Sequence, residues 1–134
     1  MNTDFHALKI EIWEGVAICR VAPPPRNAFS PALARELSTL LRTVMADGAV
    51  QALILTGTGS HFIGGVDIGE LLRLRDRETC LKQVQQCHQL LGEIETAGKP
   101  VIAAINGHCS RVGLELAMAC HYRVAVEGQR LGLL

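Results

Sequence analysis

Aromatic residues are scarce in this sequence, and its formal charge balances to zero. One Trp, one Tyr and three Phe stand among 134 residues that carry 13 basic and 13 acidic side chains. Without an excess of positive charge, the chain offers no attractive field to nucleic acid or to an anionic membrane. Few aromatic rings also leave few platforms on which single-stranded bases could stack. We therefore expect neither a nucleic-acid partner nor a membrane partner.

Long apolar runs and a secretory signal are also missing. No run approaches the roughly 18 residues of a membrane span, and the opening residues MNTDFHALKIEIW lack a basic start before an apolar core. The five cysteines are odd in number and show no C-x-x-C spacing, which is typical of reduced thiols. These features predict a cytoplasmic location and one domain over residues 1–134 that buries roughly two thirds of its unfolded surface.

Strand and helix patterns alternate along the chain after an N-terminal hairpin. Residues 7–13 alternate apolar and polar side chains, and Glu14-Gly15 turns the chain into Val16–Val21. Ser30-Pro31 is a helix start, and the helical spacing that follows runs to about Ala46. This alternation predicts an α/β fold. The other predicted elements are a strand over Ala52–Leu55, a helix from Glu78 to Thr96, a strand over Val101–Ile105, a helix over Leu114–Ala119 and a strand over Tyr122–Val126.

Glu115 is the only ionisable residue on the nearly all-apolar helix predicted over Leu114–Ala119. A carboxyl on a buried helix is costly unless it is paired, protonated or used. Glu115 is therefore the first candidate for a catalytic group. The simpler interpretation is an ion pair with Arg111, one helical turn earlier.

The glycine-dense stretch Gly57–Gly65 is the second candidate region, and Asp67 is placed to cap a helix that begins near Ile68. A dinucleotide fingerprint would need glycine where Phe62 stands, and a phosphate-binding P-loop would need Lys-Ser or Lys-Thr after its last glycine. Neither nucleotide motif is present.

Asn106-Gly107 is a predicted turn, and His108 and Cys109 directly after it raise the question of a metal ligand or a nucleophile. No second histidine or carboxylate stands at ligand spacing, so we predict no metal site there. Cys80 and Cys87, seven residues apart on one helix, are predicted to be packing residues.

Two segments together resemble the crotonase (enoyl-CoA hydratase/isomerase) superfamily. LILTGTGSHFIGGVDIGEL is similar to the family's strand followed by F-[SA]-[AG]-G-x-D-[IL]-x-E-[LM], and KPVIAAINGHCSRVGLELAMACHYRVA is similar to its second conserved stretch. Arg26-Asn27-Ala28 also resembles the family's L-N-A-[LM] entry to its first helix. The resemblance implies an α/β spiral of ββα units, of the ClpP/crotonase type and C-terminally truncated.

The same resemblance implies an acyl-CoA thioester substrate whose carbonyl is polarised by two backbone N–H groups. By motif, Gly64 and Val112 would supply these donors and Glu115 would act as acid/base. It implies no metal or redox cofactor, because CoA arrives as part of the substrate, and it implies a homo-oligomer (a trimer or hexamer). The substrate-binding residues that it implies are Arg26, Asn27, Ala28, Gly64, Gly65, Val66, Asp67 and Arg111.

Three departures from the family pattern support a second hypothesis. Arg111-Val112-Gly113 replaces three successive glycines, and the branched Val112 disfavours a positive φ. His121 replaces an aspartate, and the second glutamate of hydratases would fall beyond Leu134. The alternative to an enzyme is thus a catalytically inactive crotonase-like remnant that acts as a binding or assembly partner.

Overall fold

The N-terminal hairpin starts the main sheet. The computed structural model describes residues 4–22, 27–64 and 76–132. In it, β1 (Leu8–Trp13) pairs antiparallel with β2 (Val16–Val21), and the turn residues Glu14 and Gly15 both have positive φ. A two-residue turn of this kind matches the twist of the flanking strands. The predicted hairpin is confirmed, although Ile12, placed by its alternation on the inner face, is 48% exposed.

Three parallel strands extend the sheet from β2. They are β3 (Ala52–Gly57), β4 (Val101–Ile105) and β6 (Tyr122–Ala125), and the described strands follow the order β1-β2-β3-β4-β6. β3 is two residues longer than predicted, because its last two residues still pair with the end of β2. Since β3 and β4 run parallel, the loops that follow them leave the same edge of the sheet.

The first helix, α1 (Pro31–Ala46), has the predicted bounds. The Ser30 Oγ accepts a hydrogen bond from the Leu33 N–H at 3.1 Å, which satisfies one free donor of the first turn. At the other end, the Lys99 Nζ donates to the Val44 and Asp47 carbonyls, both at 2.7 Å. The Gly-Lys-Pro break before β4 thus also caps α1.

The second described helix, α2 (Arg77–Glu95), begins after Asp76, whose side chain accepts from the Glu78 N–H. Its apolar residues recur every three or four positions, at Leu81, Val84, Cys87, Leu91 and Ile94, which is typical of an amphipathic helix. In the second half of the helix, Ile94 and the neighbouring Leu90 are buried. Leu81 and Val84, in the first half, are 53% and 51% exposed. The predicted helix is confirmed, and its apolar face is exposed at the end that no described element covers.

The third described helix, α3 (Val112–Ala119), follows a two-residue strand, β5 (Cys109–Ser110), which pairs parallel with β7 (Leu131–Gly132). This small sheet was not predicted, because two residues carry no periodicity. The main core lies between the sheet and the helices and includes Leu33, Leu53, Phe62, Leu90 and Leu116. Within the described residues, no helix is long and apolar enough to cross a bilayer.

Candidate functional site

Two loops meet at the carboxyl ends of β3 and β4. The first loop comprises residues 58–64 and the second loop residues 106–111. The Phe62 N–H donates to the His108 carbonyl and the His108 N–H donates to the Ser60 carbonyl, both at 2.9 Å. The two stretches singled out in the sequence therefore pair through their backbones.

Glycine permits this close approach of the loops. A Cβ at Gly107 would overlap the Ser60 carbonyl, and a Cβ at Gly113 would overlap the Ile63 carbonyl. Neither glycine has a positive φ, so the reason for glycine here is the missing side chain and not an unusual backbone conformation. The start of α3 consequently lies directly against the end of the first loop.

Asn27 holds the first loop from the other side. Its Nδ2 lies 3.2 Å from the Thr58 oxygen, 2.9 Å from the His61 oxygen and 3.1 Å from the Phe62 oxygen. The residue is 5% exposed and has a φ of 51°, a left-handed conformation that asparagine adopts more readily than most residues. The Asn27 amide is therefore engaged in positioning the loop, a role that was not predicted from the sequence.

Asn106 makes the matching set of contacts from the second loop. Its Oδ1 accepts from the Gly57 N–H at 2.9 Å, and its Nδ2 donates to the Gly59 and His61 carbonyls at 3.0 and 3.1 Å. The sequence predicted Asn106 only as part of a turn. A signal was present, because a polar amide directly after a buried strand lies at the edge where the two loops meet.

The Gly64 N–H was predicted as an oxyanion donor, but in the structure it donates a hydrogen bond within the protein. It donates to the Asn27 carbonyl at 3.0 Å, and Gly64 itself is buried. A ligand could take this N–H only if that bond opened. Ala28 lies half-buried beside the site. The remaining predicted residues of this part of the pocket, Arg26, Gly65, Val66 and Asp67, lie outside the described residues.

Val112 begins α3 with its N–H pointing out of the helix end. Arg111 occupies the N-cap position without a side-chain hydrogen bond to the helix. Among the described residues, no group accepts a hydrogen bond from the Val112 N–H. The first N–H groups of a helix have no partner inside it, and the helix dipole favours negative charge at that end. This N–H fits the donor role predicted for it.

Glu115 is exposed, which corrects the prediction of a buried carboxyl on α3. Its backbone N–H closes the first turn onto the Arg111 carbonyl at 3.0 Å, and no ion pair joins the two side chains in the part of the chain that the structure describes. Burial raises the pKa of the Cys87 thiol, and the charge of Glu115 raises it further. The Glu115 carboxylate is therefore within electrostatic reach of Cys87 on α2 while remaining exposed to solvent.

Cys109 cannot serve as a nucleophile in this structure. Its side chain is fully buried, and desolvation raises the pKa of the thiol to about 11. Cysteine attacks as the thiolate, so a protonated buried thiol is inert near neutral pH. Its neighbour His108 does have a second imidazole close by: the ring centroids of His108 and His61 are 5.5 Å apart. Spacing along the sequence missed this pair because the two residues lie in different loops.

Residues 11–133 match the model of the enoyl-CoA hydratase/isomerase family. The chain belongs to that family. It is 39% identical over 128 residues to a probable enoyl-CoA hydratase of Bacillus subtilis, a match that covers 96% of this chain and 50% of the relative. It is 38% identical over 119 residues to a peroxisomal bifunctional enzyme of Danio rerio, covering 88% of this chain and 16% of the relative.

Solved structures share this fold. An enoyl-CoA hydratase from Bacillus anthracis superposes with a TM-score of 0.89 at 30% identity, covering 96% of this chain and 50% of that chain. Pseudomonas aeruginosa DspI superposes with a TM-score of 0.92 at 26% identity, covering 99% and 55%. The predicted crotonase fold is confirmed, and the chain spans about half the length of the structures and of the first of these relatives.

The departures from the family's glycine triplet act differently from what the sequence predicted. Arg111, and not Val112, has the positive φ (53°, with ψ −124°). Val112 lies in the helix, where a branched side chain is tolerated. The expected backbone conflict at Val112 is therefore wrong, and the strain falls one residue earlier, on Arg111.

His121, which stands where the crotonase family has aspartate, connects α2 to β4. Its Nδ1 accepts from the Val101 N–H at 2.9 Å, and its Nε2 lies 3.2 Å from the Glu95 carbonyl. These partners require a proton on Nε2 and none on Nδ1. The substitution thus has a structural role away from the two loops.

Proposed function

We propose that this chain processes acyl-CoA thioesters by enoyl-CoA hydratase/isomerase chemistry. The substrate carbonyl would accept a hydrogen bond from the Val112 N–H at the start of α3 and a second one from the end of the first loop. The observation that carries the proposal is the Val112 N–H, which has no acceptor among the described residues and lies at a helix end packed against Ile63.

The second donor would come from Gly64 or from the residues that follow it. Because the Gly64 N–H donates to the Asn27 carbonyl, its use as a donor requires that bond to exchange for one to the substrate. In either case both loops would direct donors toward the oxygen on which negative charge develops, a contribution of several kcal/mol in acyl chemistry.

Glu115 would exchange the proton that the reaction needs. It is exposed in the first turn of α3, three residues after the proposed donor Val112. A solvent-accessible carboxylate can act as a general base on water or on a substrate carbon in reach. Arg26, Asn27, Ala28, Asp67 and Arg111 would complete the substrate contacts, with Asn27 acting mainly by holding the first loop. We propose no metal or redox cofactor for this reaction, because CoA enters with the substrate.

A second candidate is a crotonase-like protein that binds partners without turnover. The engaged Gly64 N–H favours it, as does the cation that Arg111 places at the N-cap of α3. In that case the apolar residues exposed on β6, Tyr122 and Val124, would belong to an assembly surface. We further propose a homo-oligomer, and a cytoplasmic location in which the five free thiols stay reduced.

Calorimetric titration of the chain with a saturated acyl-CoA, which cannot be hydrated, tests the donor. Val112→Pro removes the N–H at the first helical position, where proline is well tolerated. Val112→Ala keeps the N–H and is the matched control. We expect the wild type and Val112→Ala to bind, and Val112→Pro to bind at least tenfold more weakly. Equal binding by all three folded proteins, or binding by none, would contradict the proposed site.

Turnover of crotonyl-CoA separates the two candidates. Glu115→Gln keeps the size of the side chain and removes its basicity. For an enzyme, we expect this variant to bind the saturated acyl-CoA as the wild type does and to lose at least a hundredfold in kcat. Binding without turnover by the wild type would favour the non-catalytic protein.

A further inference from the structure

Two histidines from different loops lie side by side at the edge of the sheet. His61 in the first loop and His108 in the second loop have ring centroids 5.5 Å apart, with the ring planes at 70°. His108 is exposed and His61 is half-buried, so an ion from solvent can reach the pair. Neither imidazole has a part in the proposed acyl-CoA chemistry.

The backbones that carry these rings are held on both sides. His61 and His108 form an isolated parallel bridge, flanked by the Phe62 to His108 and His108 to Ser60 hydrogen bonds. The His61 carbonyl also accepts from the Asn27 and Asn106 amides, at 2.9 and 3.1 Å. Two imidazoles on fixed backbones bind a metal more tightly than two on mobile loops, because less freedom is lost on binding.

The spacing of the rings suits one shared ion. An imidazole nitrogen lies about 2.0–2.1 Å from a bound zinc, which places each ring centre roughly 3.2 Å from the metal. Two such ring centres lie about 5.2 Å apart at a tetrahedral angle and about 4.5 Å apart at a right angle. The observed 5.5 Å therefore fits a tetrahedral ion as it stands, and the tetragonal geometry of Ni²⁺ or Cu²⁺ after the rings approach by about 1 Å. The Ser60 Oγ lies 3.2 Å from the His61 Nδ1. When Nδ1 donates its proton to this oxygen, Nε2 is left as the ligand, the usual arrangement around metal-binding histidines.

We propose that His61 and His108 together bind one divalent ion of the late first-row metals, with water filling the other positions. Imidazole suits Ni²⁺, Cu²⁺ and Zn²⁺, and affinity among them is highest for Cu²⁺. Within the described residues, no group of three His, Cys, Asp or Glu side chains could share an ion, so the site has two protein ligands. The bound ion joins the first loop to the second loop.

Titration with Ni²⁺ in a non-chelating buffer tests the site, since nickel is less drawn to thiols than zinc is. The variants are His61→Asn and His108→Asn, with His88→Asn as the control, because His88 is an exposed histidine on α2. We expect one Ni²⁺ per wild-type chain, unchanged affinity in His88→Asn, and at least tenfold weaker binding in each of the other two. Saturating Ni²⁺ should also raise the Tm of the wild type and of His88→Asn only.

Loss of binding in only one of the two loop variants, or equal binding in all four proteins, would overturn the shared site. A Cu²⁺ spectrum that shows a single nitrogen ligand would overturn it as well. The acyl-CoA titrations are carried out separately in metal-free buffer. If the acyl-CoA titrations fail, the Ni²⁺ titration can therefore still be interpreted, and if no Ni²⁺ binds, the acyl-CoA titrations can still be interpreted.

Discussion

The first loop and the second loop each donate a backbone hydrogen bond to the other, but their own conformations are maintained in different ways. The first loop is held by side chains from elsewhere, since Asn27 and Asn106 saturate its carbonyls. The second loop has no such clamp in the described residues, and it ends on Arg111, which has a positive φ. The first loop is thus stabilised by side-chain hydrogen bonds to its carbonyls, whereas the second loop contains a strained residue.

This difference between the loops shows where the residue type is dictated by the structure and where another residue is accepted. Where backbones touch, as at Gly113 against Ile63, no side chain fits and the residue type is dictated. Where only a dihedral angle is unusual, as at Arg111, another residue is accepted at a cost of about 1–3 kcal/mol. The strained position adjoins the proposed donor Val112, so the cost falls on the loop in which substrate would be bound.

The largest effect should come from Gly113→Ala. The new Cβ would overlap the Ile63 carbonyl, a backbone group that cannot rotate away, so the two loops must separate. We expect a loss of more than about 3 kcal/mol in the free energy of unfolding, or no folded protein. Urea denaturation followed by circular dichroism measures it.

Gly92→Ala is the matched control for that substitution. Gly92 lies inside α2, and a Cβ there meets nothing within 4 Å. We expect it to stabilise the protein by about 0.5–1 kcal/mol, because alanine is the better helix former. A Gly113→Ala variant as stable as the wild type would show that the loops do not depend on this contact.

Removal of the Asn27 clamp should have the next largest effect. Asn27→Ala leaves the Thr58 and Phe62 carbonyls without their side-chain donor, and we expect a loss of about 2–3 kcal/mol in the free energy of unfolding. Asn27→Gly also removes the amide but accepts the positive φ without strain, so it should lose less. Equal stability of the wild type and Asn27→Gly would mean that the hydrogen bonds contribute little.

Much of the fold could be predicted from local chemistry. Ser30-Pro31 and Asp47-Gly48 mark the two ends of α1, and the apolar run Val101–Ile105 defines β4. Helix caps and short buried strands can be predicted because they depend on residues that are neighbours in the sequence. The resemblance of two motifs gave the crotonase fold. Local patterns do not give the exposure of Leu81 and Val84, where the apolar spacing is helical but no described element covers it.

The site was less predictable, because it consists of contacts between distant residues. The partner of the Gly64 N–H lies in the segment before α1, and the partner of His108 lies in the other loop. Neither spacing nor propensity gives such pairs. The exposure of Glu115 was missed for the same reason, since apolar neighbours in sequence do not bury a side chain that points away from the core.

Alkaline pH should destabilise the second loop, which contains Cys109, but not the first loop. The buried Cys109 thiol has its pKa raised from 9.0 to about 11, so the folded state keeps a proton that the unfolded state loses. Its contribution to stability is fully present below pH 9 and is lost as the pH rises toward about 11. The slope for one such thiol is at most about 1.4 kcal/mol per pH unit.

Cys109→Ala isolates this effect from other groups that titrate at high pH, including the buried thiols of Cys19 and Cys120. Urea unfolding measured from pH 8 to pH 11 should show a shallower decline of the free energy of unfolding for the variant than for the wild type. Parallel declines would mean that Cys109 ionises as easily in the folded loop as in the unfolded chain.

Arg111→Gly should have the smallest effect and the opposite sign. Glycine removes the strain of a φ of 53° and takes a cation away from the positive end of α3, but it adds entropy to the unfolded chain. The balance is a gain of about 1 kcal/mol in the free energy of unfolding. Arg111→Ala removes the same charge and keeps the strain, so urea unfolding should rank the glycine variant above both alanine and arginine. A glycine variant less stable than the wild type would mean that the arginine side chain makes a stabilising contact of its own, and the second loop would then be held by a side chain as the first one is.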